Sequence, residues 1–137
     1  MSEAGVPDSR WPWIAITISL AAVAYAAANH VADEHQRSAV ATALTNGDAS
    51  LAPLIFRKYG CAGCHTIPGI PGADGQVGGS LAGLSKRLYV GGVLTNTPDH
   101  LLDWIVSPER FSPKTAMPPT GISEAEARDL AAYLYAR

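Results

Sequence analysis

Charge is what this sequence is short of: Asp, Glu, Lys and Arg make up 16% of its 137 residues, against roughly a quarter in an ordinary soluble protein. The shortage does not mark disorder, because 47% of the residues are hydrophobic and a disordered chain combines low hydrophobicity with high net charge. A basic excess is also lacking. Ten Lys and Arg stand against twelve Asp and Glu, for a net charge of -2, so there is no positive field to condense the chain onto phosphates and nucleic acid is excluded as a partner. Cysteine is scarce, at two residues, too few for a scaffold built on disulfides. No strand pattern occurs, and no internal repeat. The length allows one small domain and an appendage rather than two domains.

The missing charge is concentrated in one place. Residues 11–32 contain no Asp, Glu, Lys or Arg, and 22 residues at 1.5 Å rise reach about 33 Å as a helix, enough to cross roughly 30 Å of hydrocarbon. Trp11 and Trp13 suit the membrane–water interface, and Pro12 suits a helix start, where its missing N–H costs nothing. A cleaved signal peptide is the competing reading. It calls for a basic leader and a shorter apolar core, whereas Glu3 and Asp8 outnumber Arg10 here, so an uncleaved anchor is favoured after an N-terminal tail of residues 1–10. Ala22/Ala26 and Ala24/Ala28 have the small-xxx-small spacing that lets a second helix approach; alanine as a plain helix former explains them equally well.

Beyond the span, residues 33–47 form a helix extension and linker. Val31 to Leu44 lacks Pro and Gly, and Gly47 is the expected C-terminal cap. The soluble domain is expected over residues 48–137. Asp48 or Ser50 can cap a short helix running to Tyr59. Ile67 to Gly92 is rich in Gly and Pro and reads as loops, with a short helix around Leu81 to Leu88. Thr97-Pro98 opens a helix that Pro108 ends, and Ser123-Glu124-Ala125-Glu126 is a capping box ahead of Ala127, Leu130, Ala131 and Leu134 at helical spacing. The fold class is therefore all-α: a small helical body with long loops behind one transmembrane helix.

About 90 residues with that much irregular chain need a staple or a large apolar cofactor. The two cysteines, Cys61 and Cys64, are followed at once by His65. C-x-x-C-H is the attachment sequence of c-type heme: each thiol makes a thioether to a vinyl group and the imidazole ligates the iron. In a chain of this composition it arises by chance roughly once in a thousand sequences. A thioredoxin-like dithiol needs a strand-to-helix junction, a zinc site needs four ligands and His30, His35 and His100 lack paired spacing, and a plain disulfide across the motif ranks no higher than these.

Apart from Met1 the chain has one methionine, Met117, in Thr115-Ala116-Met117-Pro118-Pro119 and 52 residues beyond His65. That separation is ample to wrap a heme, and the prolines stiffen the loop presenting the sulfur. Met117 is the expected sixth ligand in preference to core filler. His100, in the first turn of a predicted helix, is the competitor.

Residues 48–137 resemble the class I, mono-heme cytochrome c family. The resemblance is carried by Phe56 ahead of Cys61-Ala62-Gly63-Cys64-His65, the Thr97 to Val106 helix with Trp104, the Ala116-Met117-Pro118 loop, and a closing helix with Tyr133 and Leu134. The run from Tyr89 to Pro98 is similar to the cytochrome domain attached to subunit II of some heme-copper oxidases. This implies crossed terminal helices with Phe56 against Leu130, Tyr133 and Leu134; one heme c on Cys61 and Cys64 with His65 and Met117 as ligands; and Trp104 packing on the heme or touching its propionates. In place of the family's Gly-Pro-x-Leu this chain has Gly78-Gly79-Ser80-Leu81. The family's proline carbonyl accepts the ring N–H of the ligating histidine; Gly79 retains a carbonyl but not the fixed φ, so a softer loop is expected.

The activity implied is outer-sphere transfer of single electrons, with no small-molecule substrate. The expected place is a bacterial cytoplasmic membrane, held by membrane lipid, with the heme domain on the periplasmic or extracytoplasmic side. The expected partners are membrane respiratory complexes, a terminal heme-copper oxidase and/or a quinol-oxidising complex, which the chain serves as a bound subunit or a tethered shuttle. The alternatives are a heme peroxidase or ligand sensor, which needs an open iron position, and the electron-accepting subunit of a membrane dehydrogenase. From Asp48 onward eight cations balance eight anions, so long-range steering is weak and tethering matters more.

Overall fold

The computed structural model describes residues 11–137; the expected tail, with Glu3, Asp8 and Arg10, lies outside them. Among the described residues the architecture is mostly helical, as the Gly- and Pro-punctuated sequence implies. Two compact units divide the chain, one ending at His35 and the other formed by Gln36–Arg137.

Helix α1, Trp11–Thr45, enters both. Its apolar stretch is long enough to cross a membrane and none of it is buried against protein. The two hydroxyls there are satisfied internally, Thr17 Oγ1 donating to the Ile14 carbonyl and Ser19 Oγ to that of Ala15, each at 2.9 Å, which removes the cost of placing them in hydrocarbon.

In the second unit the end of α1 is packed rather than free. Ala41 and Thr45 are buried. The cap is Asn46 and not the expected Gly47: Asn46 takes the left-handed conformation at φ 54°, and its N–H donates to the Thr42 carbonyl at 2.8 Å, which asparagine tolerates better than other residues with a side chain. Gly47 serves packing. A Cβ there stands 2.1 Å from the Arg128 carbonyl oxygen, so only glycine lets the chain pass this close to α4, Glu124–Ala136. Arg128 donates to the Thr45 carbonyl at 3.3 Å, and the Asp48 N–H donates to Asp129 Oδ1 at 2.7 Å.

Helix α2, Ala52–Lys58, starts from Leu51 without a side-chain cap. Asp48 and Ser50 do not cap it; the Asp48 carboxylate accepts from the Ser50 N–H at 2.8 Å and makes a local turn instead, and the Ser50 side chain, with that N–H second, holds the Asp48 carboxyl below the usual carboxylate range. Helix α3, Pro98–Val106, is capped as expected by Thr97, and α4 by Ser123. The expected helix around Leu81 to Leu88 shrinks to a 3-10 turn, Leu84–Lys86, because Gly83 at φ 60° breaks the run. The expectation of no strand is also corrected. β1, Tyr89–Val90, pairs antiparallel with β2, Leu94–Thr95, through Tyr89↔Thr95 and Val90↔Leu94, too short to print an alternating pattern in the sequence.

Helices α2, α3 and α4 enclose one buried cluster. Phe56 meets Tyr133 edge-on, with centroids 5.5 Å apart and planes at 78°, among buried Leu130 and Leu134. An edge-to-face pair adds about 0.5–1.5 kcal/mol beyond area burial.

Candidate functional site

Gly60 does the first positioning. It follows α2 at φ 69° and opens a 3-10 turn over Cys61–Gly63, in a conformation that costs an L side chain roughly 1–2 kcal/mol. The Cys64 and His65 N–H groups both donate to the Cys61 carbonyl, at 3.2 and 2.9 Å. One turn therefore presents both thiols and the imidazole, and Cys61, Cys64 and His65 all line a single cavity of about 450 Å³. The thiols are not joined to each other. Burial pushes the Cys61 thiol up from its ordinary range, and neighbouring Cys64 adds in the same direction.

The imidazole is held from one side. His65 Nδ1 lies 2.7 Å from the Gly79 carbonyl oxygen; a carbonyl can only accept, so Nδ1 carries the proton and Nε2 keeps its lone pair for a metal. Gly78 lies flat against the ring, for a Cβ there stands 2.4 Å from Cε1. The neighbouring Gly78 N–H donates to the Cys64 carbonyl at 2.7 Å.

Met117 lines the same cavity, with Thr115, Ala116, Pro118 and Thr120 beside it. Its N–H donates to Thr115 Oγ1 at 3.2 Å, and the Thr115 N–H to the Ser112 carbonyl at 2.9 Å, which ties down the approach to the sulfur. His100 is absent from the walls: its Nδ1 meets the Thr95 carbonyl oxygen at 2.8 Å, and it serves the β hairpin. Trp104 lines the cavity and packs on Gly91, where a Cβ stands 2.5 Å from the indole.

Arg87, Asn96 and Tyr135 have no local signature in the sequence. Arg87 lines the cavity, and its Nη2 donates to the Ser80 carbonyl and, at 3.1 Å, to that of Ala82. Asn96 Nδ2 donates to the Leu84 and Arg87 carbonyls at 2.7 and 2.9 Å, and Asn96 Oδ1 accepts from the Tyr135 hydroxyl at 2.8 Å. Burial pushes that hydroxyl up to about 12, so it stays a donor at neutral pH. Glu126 accepts from Lys58 Nζ at 2.6 Å and from the Tyr59 and Ser123 hydroxyls at 2.8 Å each. These donors, with the Lys58 ammonium foremost, hold its carboxyl at about 2, and the Lys58 ammonium is raised in return. The capping box thereby fastens α4 to the end of α2, next to the Cys61 turn.

A covalently held heme needs two thiols, axial donors and an apolar enclosure. The cavity brings together Cys61, Cys64, the free Nε2 of His65 and the thioether of Met117 within walls that include Phe56, Leu101, Ile105 and Leu130, so the residues fit the group. The family model for cytochrome c matches residues 51–136. No curated protein and no solved structure matches the chain.

Proposed function

The chain belongs to the cytochrome c family, and on that premise we propose that it is a membrane-anchored electron carrier whose single heme c is attached at Cys61 and Cys64 and ligated by His65 and Met117. The observation that supports this most is the convergence on one cavity of four residues spread from position 61 to position 117. When bound, heme supplies a one-electron ferric/ferrous couple, poised toward the ferrous state by His and Met ligands. The chain's own residues do the rest. The Cys61–Gly63 turn sets the spacing of the thiols, the Gly79 carbonyl fixes the tautomer and plane of His65, and Phe56, Leu101, Ile105 and Leu130 keep water from the enclosed face.

In this reading residues 11–32 span the cytoplasmic membrane of a bacterium, and the heme domain works on the extracytoplasmic side, where thioether attachment takes place in the family. Its partners are a quinol-oxidising complex and a terminal heme-copper oxidase, which the resemblance of Tyr89 to Pro98 supports. Balanced charge in the heme domain leaves little long-range steering, so anchoring supplies the encounter rate by raising the effective concentration of heme near its acceptor to something like millimolar. The test is Met117→Ala. Heme is expected to remain attached, since Cys61, Cys64 and His65 persist, while the low-spin methionine-ligated spectrum disappears and the potential falls. An unchanged spectrum and potential refute the ligand assignment.

A further inference from the structure

The loop that presents the Gly79 carbonyl to His65 has no stiffness of its own. Gly78 and Gly79 are adjacent, and glycine loses more conformational freedom on ordering than any other residue. The peptide unit between them, Gly78 C=O with Gly79 N–H, makes no hydrogen bond among the described residues. Even so, the Gly79 carbonyl oxygen is held 2.7 Å from His65 Nδ1.

Upstream, the Gly78 N–H is anchored on the Cys64 carbonyl at 2.7 Å; the remaining restraint lies downstream. The Ser80–Leu81 peptide unit is gripped at both edges: the Leu81 N–H donates to the Thr66 carbonyl at 2.8 Å, and the Ser80 C=O accepts from Arg87 Nη2. The same nitrogen reaches the Ala82 carbonyl at 3.1 Å, so one guanidinium spans the loop just past Gly79. Arg87 is fixed at its root. Its N–H donates to the Leu84 carbonyl at 3.0 Å, and its C=O accepts from Asn96, which Tyr135 of α4 orients. Restraint thus passes from α4 through Asn96 and Arg87 to the peptide beside the histidine's acceptor.

We propose that Arg87 is a positioning residue for His65: its guanidinium clamps the Ser80–Ala82 loop and supplies from outside the backbone restraint that a proline at position 79 supplies from within. This rests on the reading of His65 as the iron ligand. A hydrogen bond from Nδ1–H raises the basicity of the ring, which favours the ferric state, so loosening the acceptor raises the midpoint potential. No contact or used N–H stands against a proline at position 79. A Cβ there meets nothing within 4 Å, the φ lies outside the left-handed range, and the N–H to be lost is unused.

The test uses full-length, heme-loaded protein as wild type, Arg87→Gln, Gly79→Pro and the double variant. The readouts are hydrogen exchange of the His65 Nδ1 proton by NMR and the midpoint potential. Arg87→Gln is expected to speed exchange about tenfold, the effect of one hydrogen bond's restraint; because it also removes a cation from the cavity wall, which by itself lowers the potential, the rise in potential is read in Arg87→Lys. Gly79→Pro alone is expected to slow the exchange, because it stiffens the backbone that carries the acceptor, and in the double variant it brings the exchange rate most of the way back. That non-additivity separates a clamp from a charge effect, because proline carries no charge. Arg87→Lys keeps the charge without the fork; it is expected to exchange as fast as Arg87→Gln and serves if the latter fails to accumulate. Unchanged exchange in both Arg87 variants, or a shift that Gly79→Pro does not reverse, overturns the clamp. Failure of the heme reading shows separately, as wild-type protein without covalent heme or a His65→Ala variant with an unaltered spectrum.

Discussion

Two adjacent glycines offer a controlled perturbation of the cavity wall. Gly91 and Gly92 connect β1 to β2 at φ 57° and 75°, so alanine at either costs the left-handed penalty of roughly 1–2 kcal/mol. They differ in what a Cβ meets. At Gly92 there is nothing within 4 Å, whereas at Gly91 the indole of Trp104 lies at 2.5 Å, about 1 Å inside the ordinary carbon–carbon separation of roughly 3.5–4.0 Å. Trp104 must shift, and overpacking of this kind adds about 1–3 kcal/mol. Gly92→Ala is therefore expected to lose about 1–2 kcal/mol and Gly91→Ala about 2–5 kcal/mol. Urea unfolding of the heme-loaded protein, followed by far-ultraviolet circular dichroism with unchanged m, measures both. Both glycines line the cavity with Trp104, so the discriminating measure is the difference between the two losses of stability. Equal losses at the two positions refute the placement of Trp104 against Gly91.

The acid limb of stability should depend on Glu126. Its carboxyl is depressed from 4.5 to about 2 in the folded chain, so its contribution is full above the unfolded value and is lost as pH falls from about 4.5 toward about 2; Glu126→Gln is expected to flatten the stability profile in that window and, if the profile is unchanged, the Lys58–Tyr59–Ser123 network is not stabilising. Truncation should be sensitive to where it falls. A chain beginning at Gln36 keeps buried Ala41 and Thr45, while one beginning at Asp48 loses them and the Arg128 bond to Thr45, and is expected to unfold with about 1–3 kcal/mol less stability; equal melting of the two heme-loaded forms contradicts packing of this segment on α4. Full-length protein should resist extraction by carbonate or high salt, and release in either wash contradicts a spanning role for residues 11–32.

Cys61-x-x-Cys64-His65 was legible in the sequence because the motif has a fixed short spacing, and the charge-free stretch because it is long enough to cross hydrocarbon. The Ser123 and Thr97 caps were legible for the same reason: each satisfies orphan N–H groups within one helical turn. What depends on the whole fold left no such trace. Asn46 rather than Gly47 takes the left-handed cap of α1, while Gly47 is required where the chain passes the backbone of Arg128, 81 positions further on. The two-residue strands exist because Gly91 turns the chain against Trp104, and no alternation is visible in so few residues. Arg87, Asn96 and Tyr135 are unremarkable in their own neighbourhoods, and only the folded chain lines them up behind the carbonyl that holds His65. Local chemistry with a fixed spacing can be read along the chain; close approach and long-range hydrogen bonding are decided by which segments the core brings together.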